Sequence, residues 1–141
     1  MGASRLRMAH AVSVARPSEK VEQAHIVQLL RSIGSRVYVL GTHRRRGDYP
    51  GTMQTEGVPD LMVFLPARDP ETPSRRLFLF VEVKAHSGRM RPEQAAFREL
   101  CLDADVVHRV GGLDDLIAWL VDRDYVKASN VPHYRQPKEQ D

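Results

Sequence analysis

Two short stretches of this chain put charge where a β-strand would ordinarily continue apolar. Gly57-Val58-Pro59-Asp60 leads into Leu61-Met62-Val63-Phe64-Leu65, and Glu82 and Lys84 close the run from Leu77 to Val83. Side chains alternate faces along a strand, so Glu82 and Lys84 point the same way. Two carboxylates and an ammonium on adjacent strands are costly to bury unless something binds among them. A divalent metal and a phosphate suit such a set, and that chemistry points to phosphodiester hydrolysis.

A third carboxylate comes from the first helix. On a helical wheel Glu22 lies within roughly 30° of the centre of the stripe made by Ile26, Leu29, Leu30 and Ile33, and Glu19 lies about equally near on its other side. Asp60, Glu82 and Glu22 would form an oxygen-rich site of the kind Mg2+ or Mn2+ prefers, with the ion polarising a phosphate and acidifying a water. Lys84 would position or deprotonate that water, or neutralise developing charge. Gln94 falls at the start of a helix, where anions are favoured, and a glutamine there can hold a water or a phosphate oxygen. Arg89 and Arg91 in the preceding loop suit backbone phosphates. Arg44-Arg45-Arg46 is the densest basic run, with Tyr49 close by to stack on a base. His86 follows the Glu-x-Lys strand and is the histidine best placed to meet substrate. Each piece taken singly is common; their combination on consecutive strands is informative.

The elements that must position these residues follow from periodicity and turn chemistry. Ser18 is the expected N-cap of the first helix, and Gly34 ends it. Strands are expected at about 36–40, 60–65, 77–84 and 106–110, and helices from Pro92 to about Asp103 and from Asp114-Asp115 onward, carrying Leu116, Ile117, Trp119 and Leu120. The second and third strands are close enough in sequence to pair as an antiparallel hairpin. The third is apolar on both faces, which suits the middle of a sheet. The order is α-β-β-β-α-β-α, an α/β (α+β) chain. Residues 1–17 read as a flexible basic arm, 18–124 as one domain and 125–141 as a polar tail.

Bulk properties narrow the classes. A length of 141 residues suits one domain with a single core. No apolar run is long enough to span a bilayer, and the N-terminus makes a poor signal peptide, so a cytoplasmic location is expected. The one cysteine, Cys101, excludes an internal disulfide and a cysteine-based zinc site, and its position marks a packed thiol. Residues 1–50 carry nine Lys/Arg against three Asp/Glu, whereas 51–141 carry twelve against fifteen. That asymmetry favours a polyanionic partner.

Taken together, Glu22, Gly57 to Asp60, Glu82-Val83-Lys84, the glycine-containing loop with Pro92-Glu93-Gln94, and the strand running into Gly111-Gly112 resemble the VRR-NUC group of the PD-(D/E)XK nuclease superfamily. The resemblance covers about residues 18–122. It implies a restriction-endonuclease-like core, with a mixed four-stranded sheet flanked by helices. It also implies a Mg2+- or Mn2+-dependent DNA endonuclease in which Asp60, Glu82, the Val83 carbonyl and the helical Glu hold metal, Lys84 is catalytic and Gln94 supports the site. Helical register favours neither Glu19 nor Glu22, and Glu22 is preferred because its distance to Gly34 better matches the family. Short members of this family look like phage or bacterial proteins and are similar to Holliday-junction resolvases acting on branched or duplex DNA, often as homodimers, in replication, recombination or repair. Arg91 stands where the family often has the Ser or Thr that caps the next helix. The competing classes are a catalytically idle nucleic-acid-binding protein and an interaction subunit built on the same fold.

Overall fold

Ser18 begins the first helix, α1 (Glu19–Ser32), by accepting the Val21 N–H at 3.3 Å, one of the donors a helix start leaves free. The computed structural model describes residues 18–40, 55–69, 71, 75–85 and 88–130. The remaining elements are β1 (Arg36–Val39), β2 (Leu61–Phe64), β3 (Phe78–Val83), α2 (Pro92–Asp103), β4 (Val107–Gly111), α3 (Leu113–Asp122) and a short 3-10 turn at Ala128–Asn130. The chain is therefore α+β in the expected order.

The three α-helices among the described residues stop in the same way. Gly34, Asp105 and Asp124 take positive φ values of 95°, 55° and 63°. The next residue then donates back into the last turn: Ser35 N–H to Leu30 O at 3.0 Å, Val106 N–H to Cys101 O at 2.8 Å, and Tyr125 N–H to Leu120 O at 2.9 Å. Glycine enters this left-handed conformation freely, and aspartate is among the few other residues that tolerate it.

The strands form one sheet in the order β1-β2-β3-β4. β1 and β3 pair antiparallel with β2, through Val37↔Val63 and Leu61↔Val81, and β4 pairs parallel with β3, through Val81↔Arg109 and Val83↔Gly111. β3 thus lies inside the sheet, and α2 is the crossover that a parallel pair requires. Alternation divides the side chains. Leu61, Val63, Leu79, Val81 and Val83 turn to one face and pack with Ile26 and Leu30 of α1 and Leu116 and Leu120 of α3. Phe64, Phe78, Phe80 and His108 turn to the other. There Phe97 of α2 meets Phe80 edge-on at 5.1 Å between centroids and His108 at 6.2 Å. Glu82 shares this second face, beneath the start of α2. Cys101 is buried as a free thiol.

Packing continues past the boundary drawn at residue 124. Tyr125 stacks on Trp119 with ring planes 17° apart, and Val126 is buried in the core. The turn at Asp124 folds these two residues back over α3. Among the described residues no helix is long and apolar enough to cross a membrane.

Candidate active site

Asp60 enters the site at the start of β2, and the turn before it is tightly fitted. Gly57 holds φ +89°, and a Cβ there would stand 2.4 Å from the Glu93 carbonyl oxygen. The turn therefore lies against the first turn of α2 with no room for a side chain. Pro59 beyond it is fully buried. Asp60 reaches across to the next strand, where its Oδ2 accepts the Val83 N–H at 2.8 Å.

Glu82 is only 3 % exposed. Its Oε1 accepts a hydrogen bond from Gln94 Nε2 at 2.5 Å and lies 3.7 Å from Lys84 Nζ. The other end of the Gln94 amide accepts the Arg91 N–H at 2.8 Å. One side chain thus caps α2 and braces the acid, which resolves the missing Ser or Thr before Pro92: Arg91 has no acceptor to offer, and Gln94 supplies it from within the helix. The Lys84 N–H donates to Gly111 O at 3.0 Å, holding the lysine backbone on the β3–β4 ladder.

Both acids are held away from their ordinary behaviour. Burial pushes the Glu82 carboxyl up to about 7, and the Asp60 charge adds to the rise, while Lys84 and Arg91 partly offset it. Burial also raises Asp60, against the opposing Val83 hydrogen bond. Two desolvated carboxylates, with the charge of Asp60 opposing the ionisation of Glu82, are the electrostatic signature of a functional pair.

Glu19 is the helical acid whose charge reaches both Asp60 and Glu82, raising each. A Cβ on Gly88 would lie 3.1 Å from Glu19 Oε1 and 3.2 Å from Lys84 Cδ, so the glutamate and the lysine stem flank the same glycine. Glu22, expected among the metal-side acids, is engaged elsewhere. Its Oε2 accepts the Leu113 N–H at 3.1 Å, at the start of α3. A helix start leaves N–H groups unpaired and carries partial positive charge, which accounts for a carboxylate there. Of the basic residues, Arg91 lies near enough for its charge to steady Glu82, and Arg89 is exposed. Arg44, Arg45, Arg46, Tyr49 and His86 lie outside the described residues.

A family model described as VRR-NUC domain matches residues 5–110, most of the chain. The chain belongs to the VRR-NUC family. No curated protein and no solved structure matches it. A VRR-NUC domain is a PD-(D/E)XK nuclease-type domain, and the mixed sheet flanked by helices is the restriction-endonuclease-like core of that type. The family is one of nucleases, and a nuclease domain implies DNA as partner.

Nucleases of this type usually use divalent metals, so the donor set matters. Among the described residues no three His, Cys, Asp or Glu side chains form a ready metal cluster. The pair of Asp60 and Glu82 nevertheless fits a hard cation. It offers carboxylate oxygens alone, and ionisation of both is disfavoured until a positive charge arrives. An ion such as Mg2+ keeps several waters and completes its shell from a substrate phosphate, so two protein carboxylates suffice.

Proposed function

We propose that this VRR-NUC protein is a divalent-metal-dependent DNA endonuclease selective for branched or duplex structure, of the kind that serves phage or bacterial replication, recombination or repair. The observation that carries the reading is the pair of half-buried Asp60 and buried Glu82, braced by Gln94 and faced by Lys84. Asp60 and Glu82 would hold Mg2+ or Mn2+, with Glu19 rather than Glu22 as the third negative charge near them. When bound, the ion supplies positive charge at the scissile phosphate and acidifies a water. Lys84 Nζ stands beside Glu82 on the same face, placed as the neutral amine to take a proton from the attacking water, or as the ammonium to stabilise charge on the phosphoryl oxygens. Gln94 fixes which Glu82 oxygen faces α2. Arg89 and Arg91 lie at the mouth of α2, where they can grip the backbone beside the cut. A single site hydrolyses one strand at a time, so a homodimer would suit paired cuts in a junction.

Asp60→Asn and Lys84→Ala each abolish cleavage, by about a thousandfold or more, while folding and DNA binding persist. The assay is a panel of junctions, flaps, linear duplexes and single strands with Mg2+ or Mn2+. Wild-type cleavage by either variant removes that residue from the reaction, and equal rates on all substrates dismiss structure selectivity.

A further inference from the structure

β1 lies at the rim of the sheet, and its outer edge is open. Among the described residues no strand lies beyond it. Register shows which of its backbone groups face outward. β1 and β2 pair through Val39↔Leu61, and the Leu40 N–H donates to Asp60 O at 2.7 Å. Hydrogen-bonded residues alternate along an antiparallel pair, so Arg36, Tyr38 and Leu40 direct their N–H and C=O groups at β2. Val37 and Val39 therefore aim theirs away from the sheet. Arg31 of α1 reaches over this edge, with Nη2 3.4 Å from the Val37 carbonyl oxygen, whereas among the described residues the Val39 carbonyl has no such donor. Beside the edge runs a groove of about 780 Å3 between α1 and β1. Its lining includes Ala24, Val27 and the exposed Val39, and its two charged lining residues, Lys20 and Arg31, are both basic. A row of ladder groups, an apolar strip and positive charge thus lie side by side.

We propose that this edge docks an extended, acidic segment of a partner protein, added antiparallel to β1 as a further strand of the sheet. The added strand accepts the Val39 N–H and offers a donor to the Val39 carbonyl, while every second side chain turns toward Ala24 and Val27. Small apolar side chains suit that strip. Carboxylates suit Lys20 and the Arg31 guanidinium, which exchanges the Val37 carbonyl for a charge-assisted pair. Charge also chooses between occupants. A second copy of this chain, paired β1 to β1 about a two-fold axis, would run the two α1 helices past each other and bring Lys20 of one toward Arg31 of the other, with no acid lining the groove between them. A nucleic-acid backbone is disfavoured by a different mismatch, since phosphates are acceptors alone and leave the Val39 carbonyl without a donor. The docking end lies close to the reaction: Leu40 is tied to Asp60, and Lys20 follows Glu19, so a partner held here stands beside the acid pair. Docking needs no cleavage, so it stands or falls apart from the nuclease reading.

The test is fluorescence anisotropy of the full chain with short labelled peptides that alternate valine with glutamate, with lysine or with serine. The glutamate peptide binds about tenfold tighter than the lysine peptide, and the gap narrows as salt rises. Val39→Pro removes an outward N–H that the β1–β2 ladder does not use, a change that edge strands tolerate, and it weakens binding about tenfold. Lys20→Glu with Arg31→Glu reverses the preference between the glutamate and lysine peptides. Should Val39→Pro fail to fold, wild-type protein decides the matter with N-methylated peptides. Methylating the alternate set of amides that faces β1 weakens binding about tenfold, and methylating the other set does not. Equal loss from both sets, equal binding of the glutamate and lysine peptides, or no binding by any peptide overturns the proposal. A dimer that sedimentation detects in wild type and not in Val39→Pro overturns it in favour of a second copy.

Discussion

Gln94 is the residue on which the local chemistry turns, because its amide is spoken for at both ends. Its oxygen takes the Arg91 N–H and its nitrogen serves Glu82. Partners of this kind around metal-binding carboxylates change affinity by about 10–100-fold when removed. Gln94→Leu therefore weakens Mn2+ binding by about that factor and lowers cleavage with it. Mn2+ titration followed by magnetic resonance measures the first effect directly. Unchanged affinity would reduce Gln94 to a helix cap. The acids, the lysine and this glutamine were legible in the sequence because strand alternation and the Pro92 helix start fix their faces. The choice between Glu19 and Glu22 was not legible, since both border the apolar stripe at nearly equal angles. What separates them is the start of α3, 91 residues on from Glu22, whose free N–H engages that carboxylate.

At the scale of elements, the close approach of the Gly57 turn to α2 decides where Asp60 stands relative to Glu82. Gly57→Ala forces a side chain into a left-handed backbone and against the Glu93 carbonyl. The expected loss is about 2–4 kcal/mol of stability, read by urea denaturation, with cleavage falling in the protein that remains folded. A loss below about 1 kcal/mol would mean that the turn can shift without consequence. The element order, the hairpin and the central position of β3 follow from apolar runs that any sequence reader can count. Helix ends were less visible. Gly34 announces its left-handed turn, but Asp105 and Asp124 make the same turn with a residue that normally signals a loop or a helix start. Missing the second of these is why Tyr125 and Val126 read as tail although they pack on α3.

Across the whole molecule, the acid pair makes stability depend on pH in an unusual direction. Glu82 titrates at about 7 when folded against an ordinary 4.5. Between those values the folded protein holds a proton that the unfolded chain has released, so stability falls as pH rises through this window and levels off above it. A divalent cation held by the ionised pair, as proposed above, would oppose the fall. Mn2+ therefore raises the melting temperature more at pH 8 than at pH 5.5. Thermal unfolding at the two pH values, with and without Mn2+, checks this, and an equal shift at both would separate the metal from Glu82. Arg109 and Arg123, set over the Trp119 ring, and Arg68, set over Tyr125, belong to this scale too. Nothing in their spacing along the chain marked them, because residues 68, 109 and 123 meet only once β4, α3 and the turn after it have closed.

The ties within the acid site are short along the chain. Asp60 and Val83 are 23 residues apart and Glu82 and Gln94 are 12, whereas Glu22 and Leu113 are 91. Closing the longest of these loops costs about 1–2 kcal/mol more in chain entropy than closing either of the others. Residues 57–94 are thus the stretch that loop closure favours gathering first, with the outer helices joining behind it. During synthesis the two acids, the lysine and the glutamine all leave the ribosome before α3 does, and Gly111, which takes the Lys84 N–H, follows them.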